Sequence, residues 1–158
     1  MTSLGFQYAQ RLRERPQQLR QLKVALQSLE AEMMYGLTPL AEASERIASQ
    51  IKAPISHLFK RFKTKLEEEK SSAYEAWQEA LDDVWPFTAL IDSEREVLRQ
   101  FGATLGQHDR EQQRKHIALA LAHLEREEVE ARERQTRYER MFKSLGFLSG
   151  LLLVLLLL

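Results

Sequence analysis

The chain has 158 residues, 44% of them hydrophobic and 29% charged, and its formal net charge is zero. This length is typical of one domain, and the balanced charge argues against a nucleic-acid partner, because phosphates require clustered Lys and Arg. No cysteine is present, which excludes a disulfide framework, a thiolate zinc site and a thiol nucleophile.

The composition predicts an all-α fold. Ala, Leu, Glu, Arg and Gln dominate, while Gly and Pro are scarce, and these dominant residues are strong helix formers. Nothing in the sequence alternates in the manner of a strand that is followed by a turn. We therefore expect a compact bundle of about six helices, with a long C-terminal helix that runs into a membrane segment.

The first fifteen residues mix apolar and basic side chains. This pattern resembles the end of an interfacial or membrane helix, and we expect residues 1–15 to be the remnant of an N-terminal membrane-proximal helix. The positions concerned are Leu4, Phe6, Tyr8, Ala9, Arg11, Leu12, Arg13 and Arg15.

The first three bundle helices are bounded by proline and glycine. Pro16 suits the first position of a helix and Gly36 suits the position just past its end. Thr38 and Pro39 open a second helix, with a capping hydroxyl before the proline, and Pro54 opens a third. Apolar residues recur at three- and four-residue spacing in all three, at Leu19, Leu22, Leu26, Leu29, Met33, Leu40, Ala43, Ile47, Ile51, Ile55, Leu58, Phe59, Phe62 and Leu66.

Two further helices follow. Ser72 and Glu75 match the capping-box pattern and open a fourth helix that runs to about residue 85. Either Asp92 or Ser93 caps a fifth, which ends near Gly102.

A sixth helix is capped by Asp109 and meets no breaker before Gly146. Residues 125–140 are mostly Glu, Arg and Gln, so we expect a polar rod between bundle and membrane, stiffened by pairs such as Glu130–Arg134. Its inner stripe is predicted at Ile117, Leu121, Leu124 and Val129.

Residues 144–158 are predicted to be a transmembrane segment, and residues 16–143 to be the soluble domain. The last fourteen residues carry no charge and span about 21 Å as a helix, against a hydrocarbon core of about 30 Å. Gly146 and Gly150 form a small-xxx-small pair that allows close helix packing. Basic residues flank the domain at both ends, which predicts that it faces the cytoplasm.

No catalytic, cofactor or metal site is predicted, and we expect a non-enzymatic protein. His116 and His123 share a helix face, but seven residues separate them by about 10 Å, too far to hold one zinc ion unaided. No phosphate-binding loop, nucleophile elbow or dinucleotide fingerprint is present.

The helix ends and turns are the remaining candidates for function. Their composition is typical of simple chain reversal, and a docking surface is the alternative, since loops on rigid scaffolds often carry binding. The candidate partner-binding residues are Glu30, Glu32, Tyr35, Gln107, Asp109 and Gln112.

Several ordered segments resemble the stage III sporulation protein AB family. The resemblance implies a helical domain similar to those of the type II secretion inner-membrane platform protein F, and a hydrophobic segment ahead of Leu4. The segments that carry it are residues 14–22, 26–32, 35–40, 101–106, 109–113 and 145–151.

The resemblance implies membership of the channel between mother cell and forespore. The implied partners are a cytoplasmic secretion-type ATPase, the AA protein of the same system, other membrane proteins of the channel and further copies of the chain. The implied location is the mother-cell membrane around the forespore, with the domain in the mother-cell cytoplasm. From the residues alone, a tail-anchored helical adaptor or tether unrelated to secretion stays open as the alternative.

Overall fold

The computed structural model describes residues 2–35, 39–68, 72–105 and 109–158, and this part of the chain is all-α. It contains six α-helices and a 3-10 turn at Trp85–Phe87. The predicted fold class, with about six helices and a long final helix, is confirmed. The helices are α1 (Thr2–Tyr35), α2 (Leu40–Gln50), α3 (Ile55–Glu67), α4 (Ala73–Val84), α5 (Asp92–Thr104) and α6 (Arg110–Leu157).

α1 and α6 form an antiparallel pair that runs through the whole molecule. The rings of Tyr8 and Tyr138 lie 5.6 Å apart, whereas Lys23, further along α1, forms ion pairs with Glu125 and Glu128, which lie earlier in α6. The remaining helices pack in chain order between α1 and α6. α2 contacts α1 and α3, α4 lies between α3 and α5, and α5 packs on α6. The short helices thus close a bundle around one part of the pair.

The expected helix start at Pro16 is wrong, because α1 continues through this proline from Thr2. Pro16 lacks a backbone N–H and so removes one hydrogen bond from the helix interior. The segment before Pro16 is nevertheless helical because it has a partner helix. Tyr8 lies against α6, and the Arg15 side chain is anchored to both α5 and α6.

Two of the predicted helix caps are confirmed. The backbone N–H of Glu75 donates to Ser72 Oγ at 3.2 Å, and that of Glu111 donates to Asp109 Oδ1 at 3.0 Å. Each bond satisfies one of the backbone donors that a helix N-terminus leaves free. α2 begins after Pro39 without a side-chain cap, and Thr38 lies outside the described residues.

The cap predicted for α5 is wrong, and the helix ends two residues beyond Gly102. The helix starts at Asp92 with Ile91 in the cap position, and Ile91 has no side chain that can cap it. Glu94 makes the reciprocal bond of a capping box, in which its Oε1 accepts from the Ile91 N–H at 3.2 Å. Ser93 donates instead to Glu94 Oε2 at 2.9 Å. At the other end, α5 continues through Gly102 to Thr104, since Gly102 packs face-on against Trp77.

Trp77 is the centre of the core formed by α3, α4 and α5. Its ring makes edge contacts with Phe59, Phe62 and Phe101 at centroid distances of 5.8, 5.2 and 5.3 Å. Its Nε1 donates to the Leu98 carbonyl at 2.8 Å, so that the buried indole has no unmet polar group.

The predicted leucine stripe of α1 is buried, and so is much of the predicted stripe of α6. Val129, however, is 48% exposed, so its assignment to the inner face is wrong. The inward face of α6 has a regular three- and four-residue spacing that Val129 does not match. The residues buried on that face are Ile117, Ala120, Leu124, Glu128 and Ala131.

The sequence predicted that the polar part of α6 is a single rod. This is wrong, because the segment is paired with another helix. The predicted pair is present, with Arg134 Nη2 bonded to Glu130 Oε1 at 3.0 Å. The first half of α1 runs alongside, so the connection to the C-terminal segment is a two-helix stalk, which we define as residues 4–13 of α1 and 134–143 of α6.

Candidate docking surface

The partner-binding residues predicted from sequence belong to two helix ends that meet. Glu30 and Glu32 lie in the last turns of α1, while Asp109 and Gln112 lie at the start of α6. Because the two helices are antiparallel, the end of α1 and the beginning of α6 share one end of the molecule, opposite to the stalk. We call this the distal end.

Some of these residues also have structural roles. Glu32 Oε1 accepts from Arg46 Nη1 at 3.1 Å, which ties α1 to α2, and Asp109 caps α6. Gln112 is exposed and Glu30 is half-buried. Gln107 and the side chain of Tyr35 lie outside the described part of the chain.

A cluster of charges that sequence reasoning did not find joins α1, α5 and α6. Arg15 Nε donates to Glu94 Oε1 at 2.8 Å, and Arg15 Nη2 donates to Glu94 Oε2 and to Glu127 Oε2, each at 3.0 Å. Ser93 Oγ lies 2.9 Å from Glu94 Oε2 and 3.3 Å from Glu127 Oε2. We call these four residues the ionic joint.

The two carboxylates of the ionic joint differ in acidity. Burial favours the neutral form of Glu94, but the hydrogen bonds and positive charge of Arg15 outweigh it and lower the Glu94 pKa. Burial also raises the pKa of Glu127, and the negative charge of the neighbouring Glu94 raises it further. Ser93 and Arg15 lower the Glu127 pKa by less than these two effects raise it. Glu94 is therefore the principal counter-ion of Arg15.

A second set of charges fastens α1 to α6 beside the joint. Lys23 forms ion pairs with Glu125 and Glu128, and Arg132 Nη2 lies 2.6 Å from Glu128 Oε1. These contacts with Glu125 and Glu128 raise the Lys23 pKa, although burial acts in the opposite direction.

Only a faint sequence signal could have revealed these buried charges. Arg15 precedes Leu19 and Leu22 at four- and seven-residue spacing, and Glu128 follows Leu124 by four, so both occupy apolar stripes. Their partners could not be read from spacing, because 79 residues separate Arg15 from Glu94. The arrangement binds three helices together.

Metal binding finds little support in the part of the chain that the structure describes. No group of three or more His, Asp or Glu side chains there could hold an ion. His116 and His123 both lie exposed on α6.

The end of the molecule opposite to the distal end is a candidate membrane anchor. A window of 18 residues in α6 has a mean hydropathy of 1.7, and none of it is buried. A helix that is apolar on all sides and uncovered lacks the polar face that a surface helix in water needs. By length and composition, α6 can therefore cross a bilayer.

Known proteins resemble the chain along nearly all of its length. Stage III sporulation protein AB of Bacillus subtilis (strain 168) is 55% identical over 156 residues, which cover 99% of this chain and 91% of that protein. A solved structure of "Stage III sporulation protein AB (SpoIIIAB)" is 54% identical with a TM-score of 0.77, and the match covers 78% of this chain and 98% of that one. The family described as stage III sporulation protein AB matches residues 1–158. The chain belongs to the stage III sporulation protein AB family.

Proposed function

We propose that the chain is a non-enzymatic, membrane-anchored platform component of the channel between mother cell and forespore. Its distal end docks a cytoplasmic secretion-type ATPase and seats it against the membrane part of the channel. The anchor lies in the mother-cell membrane around the forespore, and the bundle faces the mother-cell cytoplasm. Family membership supports the sporulation role, and the docking role is the proposal.

The separation of the two ends of the molecule carries this proposal. From Asp109 to Lys143, α6 is one uninterrupted helix, which corresponds to about 50 Å at about 1.5 Å per residue. The paired α1, fastened by the ionic joint, prevents this length from acting as a loose tether. The distal end is therefore held at a set height above the membrane, as a docking platform requires.

Titration calorimetry tests the proposal with the AA-type ATPase in the syringe and the full chain in nanodiscs, with and without nucleotide. We expect saturable binding that Gln112→Lys weakens, because Gln112 is exposed at the distal end and makes no cap or ion pair that the structure describes. Asp109→Ser should also weaken it, since serine can still cap α6 but removes the carboxylate.

Glu96→Lys supplies the matched control. Glu96 is exposed on α5, outside the distal end as defined by α1 and α6, and binding should be retained. No binding by a folded chain to an active ATPase would contradict the docking role, and an equal effect of all three substitutions would contradict the assignment of the surface.

A further inference from the structure

The two-helix stalk contains an apolar groove that the docking proposal does not use. One face of α1 contributes Gly5, Phe6, Ala9 and Leu12, and the facing stripe of α6 contributes Tyr138 and Phe142. The volume is about 600 Å³. It is open because α1 presents small residues there, and a Cβ added to Gly5 would meet no atom within 4 Å.

Basic side chains surround this groove. Arg13 and Lys143 line it directly, and Arg11, Arg137 and Arg140 are exposed on the same two helix segments. The acidic side chain in the groove, Glu139, accepts a hydrogen bond from Gln135 at 3.3 Å.

This concentration of positive charge is specific to the stalk side of the molecule. Residues 1–13 and 134–158 hold six of the 23 basic residues and one of the 23 acidic residues, for a net charge of +5. Residues 14–133 therefore carry a net charge of −5. The neutral total conceals a molecule with one cationic end.

The membrane end of the groove lies at the depth of lipid headgroups. The α6 residues that line it, 135–143, lead directly into the uncharged residues 144–158. The polar layer of a leaflet is about 5–8 Å thick, which corresponds to roughly four to five helical residues. Phe142 and Lys143 therefore fall in this layer when residues 144–158 are in the hydrocarbon.

We propose that the stalk groove binds one anionic phospholipid of the leaflet that faces the bundle. Its upper acyl and glycerol portion lies on Phe6 and Phe142. Its phosphate is held by Arg140 and Lys143, which lie within one helical turn of each other at the membrane end of the stalk. Charge complementarity selects this occupant, because an anionic leaflet attracts basic juxtamembrane segments, whereas an apolar helix from another protein would leave both cations unpaired. The inference rests on membrane insertion of the C-terminal segment and is independent of ATPase docking.

Native mass spectrometry of the full chain in a neutral detergent tests the assignment. The probes are dioleoylphosphatidylglycerol and dioleoylphosphatidylcholine, which share acyl chains and differ in headgroup charge. We expect one phosphatidylglycerol per chain, bound about tenfold or more tightly than phosphatidylcholine, with the preference lost in high salt.

Two kinds of variant make the result specific. R140Q/K143Q should weaken phosphatidylglycerol binding about tenfold or more and leave phosphatidylcholine binding unchanged. G5L should fill the groove and reduce phosphatidylglycerol retention without any change of charge. The control R20Q/K115Q removes the same two charges from exposed positions of α1 and α6 in the bundle, and it should bind as the parent does.

Three outcomes would overturn the proposal. One is equal affinity for the two lipids, and another is equal loss of binding in R140Q/K143Q and R20Q/K115Q. The third is a dimer that G5L disrupts, which would assign the groove to a second copy of the chain.

Discussion

Arg15 is buried in the middle of α1, and its charge is balanced mainly by Glu94. A buried ion pair is costly to break on one side, because the remaining charge keeps its desolvation penalty without its partner. Glu127 adds a second carboxylate, but its raised pKa shows that its ionised form is less favoured there. The two glutamates should therefore respond differently to the same substitution.

Glu94→Gln should destabilise the fold by about 3–5 kcal/mol at pH 7, because it leaves Arg15 buried without its bidentate partner. Glu127→Gln should stay within about 1 kcal/mol of the parent, since an amide oxygen can still accept from Arg15 and the repulsion with Glu94 disappears. Urea unfolding followed by tryptophan fluorescence measures both. Similar losses in the two variants would contradict this division of roles.

The pH dependence of these variants has a definite sign. The folded-state pKa of Glu94 lies below that of an ordinary glutamate, so its stabilisation is complete above the ordinary pKa and is lost as the pH falls through the lowered one. The folded-state pKa of Glu127 is raised, so its ionisation opposes folding at pH 7, and this penalty disappears as the pH falls. The stability of Glu127→Gln relative to the parent should therefore decline from pH 7 towards pH 4 in urea titrations.

Gly102 is the other residue whose role depends on packing. A Cβ at this position would lie 2.6 Å from Trp77 Cδ1 and 2.9 Å from Gln78 Nε2, and Trp77 is held by its bond to Leu98 and by three aromatic rings. Gly102→Ala should therefore destabilise by about 1–3 kcal/mol, although alanine is the better helix former.

Thermal unfolding of Gly102→Ala decides between packing and helix propensity, with the adjacent exposed Ala103→Gly as the control. The control should lose about 1 kcal/mol through propensity alone. Stabilisation by Gly102→Ala would show that the helix preference prevails and that Trp77 can move.

At the scale of elements, most helices could be predicted because their signals are local. Ser72 and Asp109 cap the helices that they were expected to cap, since a cap acts within three residues. The errors arise where a distant partner overrides a local signal. Arg15 holds Glu94 at the start of α5, Trp77 packs against Gly102 near its end, and α6 supports α1 through Pro16.

A substitution at Pro16 measures how far packing offsets the helix-breaking effect of proline. A proline inside a helix is about 3 kcal/mol less favourable than alanine, while loss of two buried methylenes costs about 1.6 kcal/mol. Pro16→Ala should therefore stabilise the chain by about 1 kcal/mol. A shift of the urea midpoint to higher concentration at constant m-value would agree, and destabilisation would show that the buried ring packs better than these terms allow.

At the scale of the whole molecule, the sequence predicted the candidate membrane segment but not the stalk. An uncharged leucine-rich run is visible by inspection, whereas pairing between residues 4–13 and 134–143 depends on the course of the chain between them. The distal residues were chosen from turn composition, and the structure brings Glu30 and Glu32 to the same end as Asp109 and Gln112. Their role in docking stays a prediction.

Removal of residues 144–158 should leave a folded, water-soluble helical domain. All members of the hydrophobic core precede this segment, the last of them being Ala131, and none of residues 144–158 is buried. Circular dichroism should show a helical spectrum with one cooperative transition. A truncated chain without such a transition would contradict the independence of the domain.

The continuity of α6 also fixes an angle. Each residue of an α-helix advances by about 100° around the axis, and no break separates the bundle from Gly146 and Gly150. The orientation of the distal end around the helix axis is therefore determined by the direction in which those glycines face in the bilayer. A membrane neighbour that packs against them would set the angle around the helix axis at which every copy of the chain presents Gln112, and so would orient any partner that docks there as proposed above.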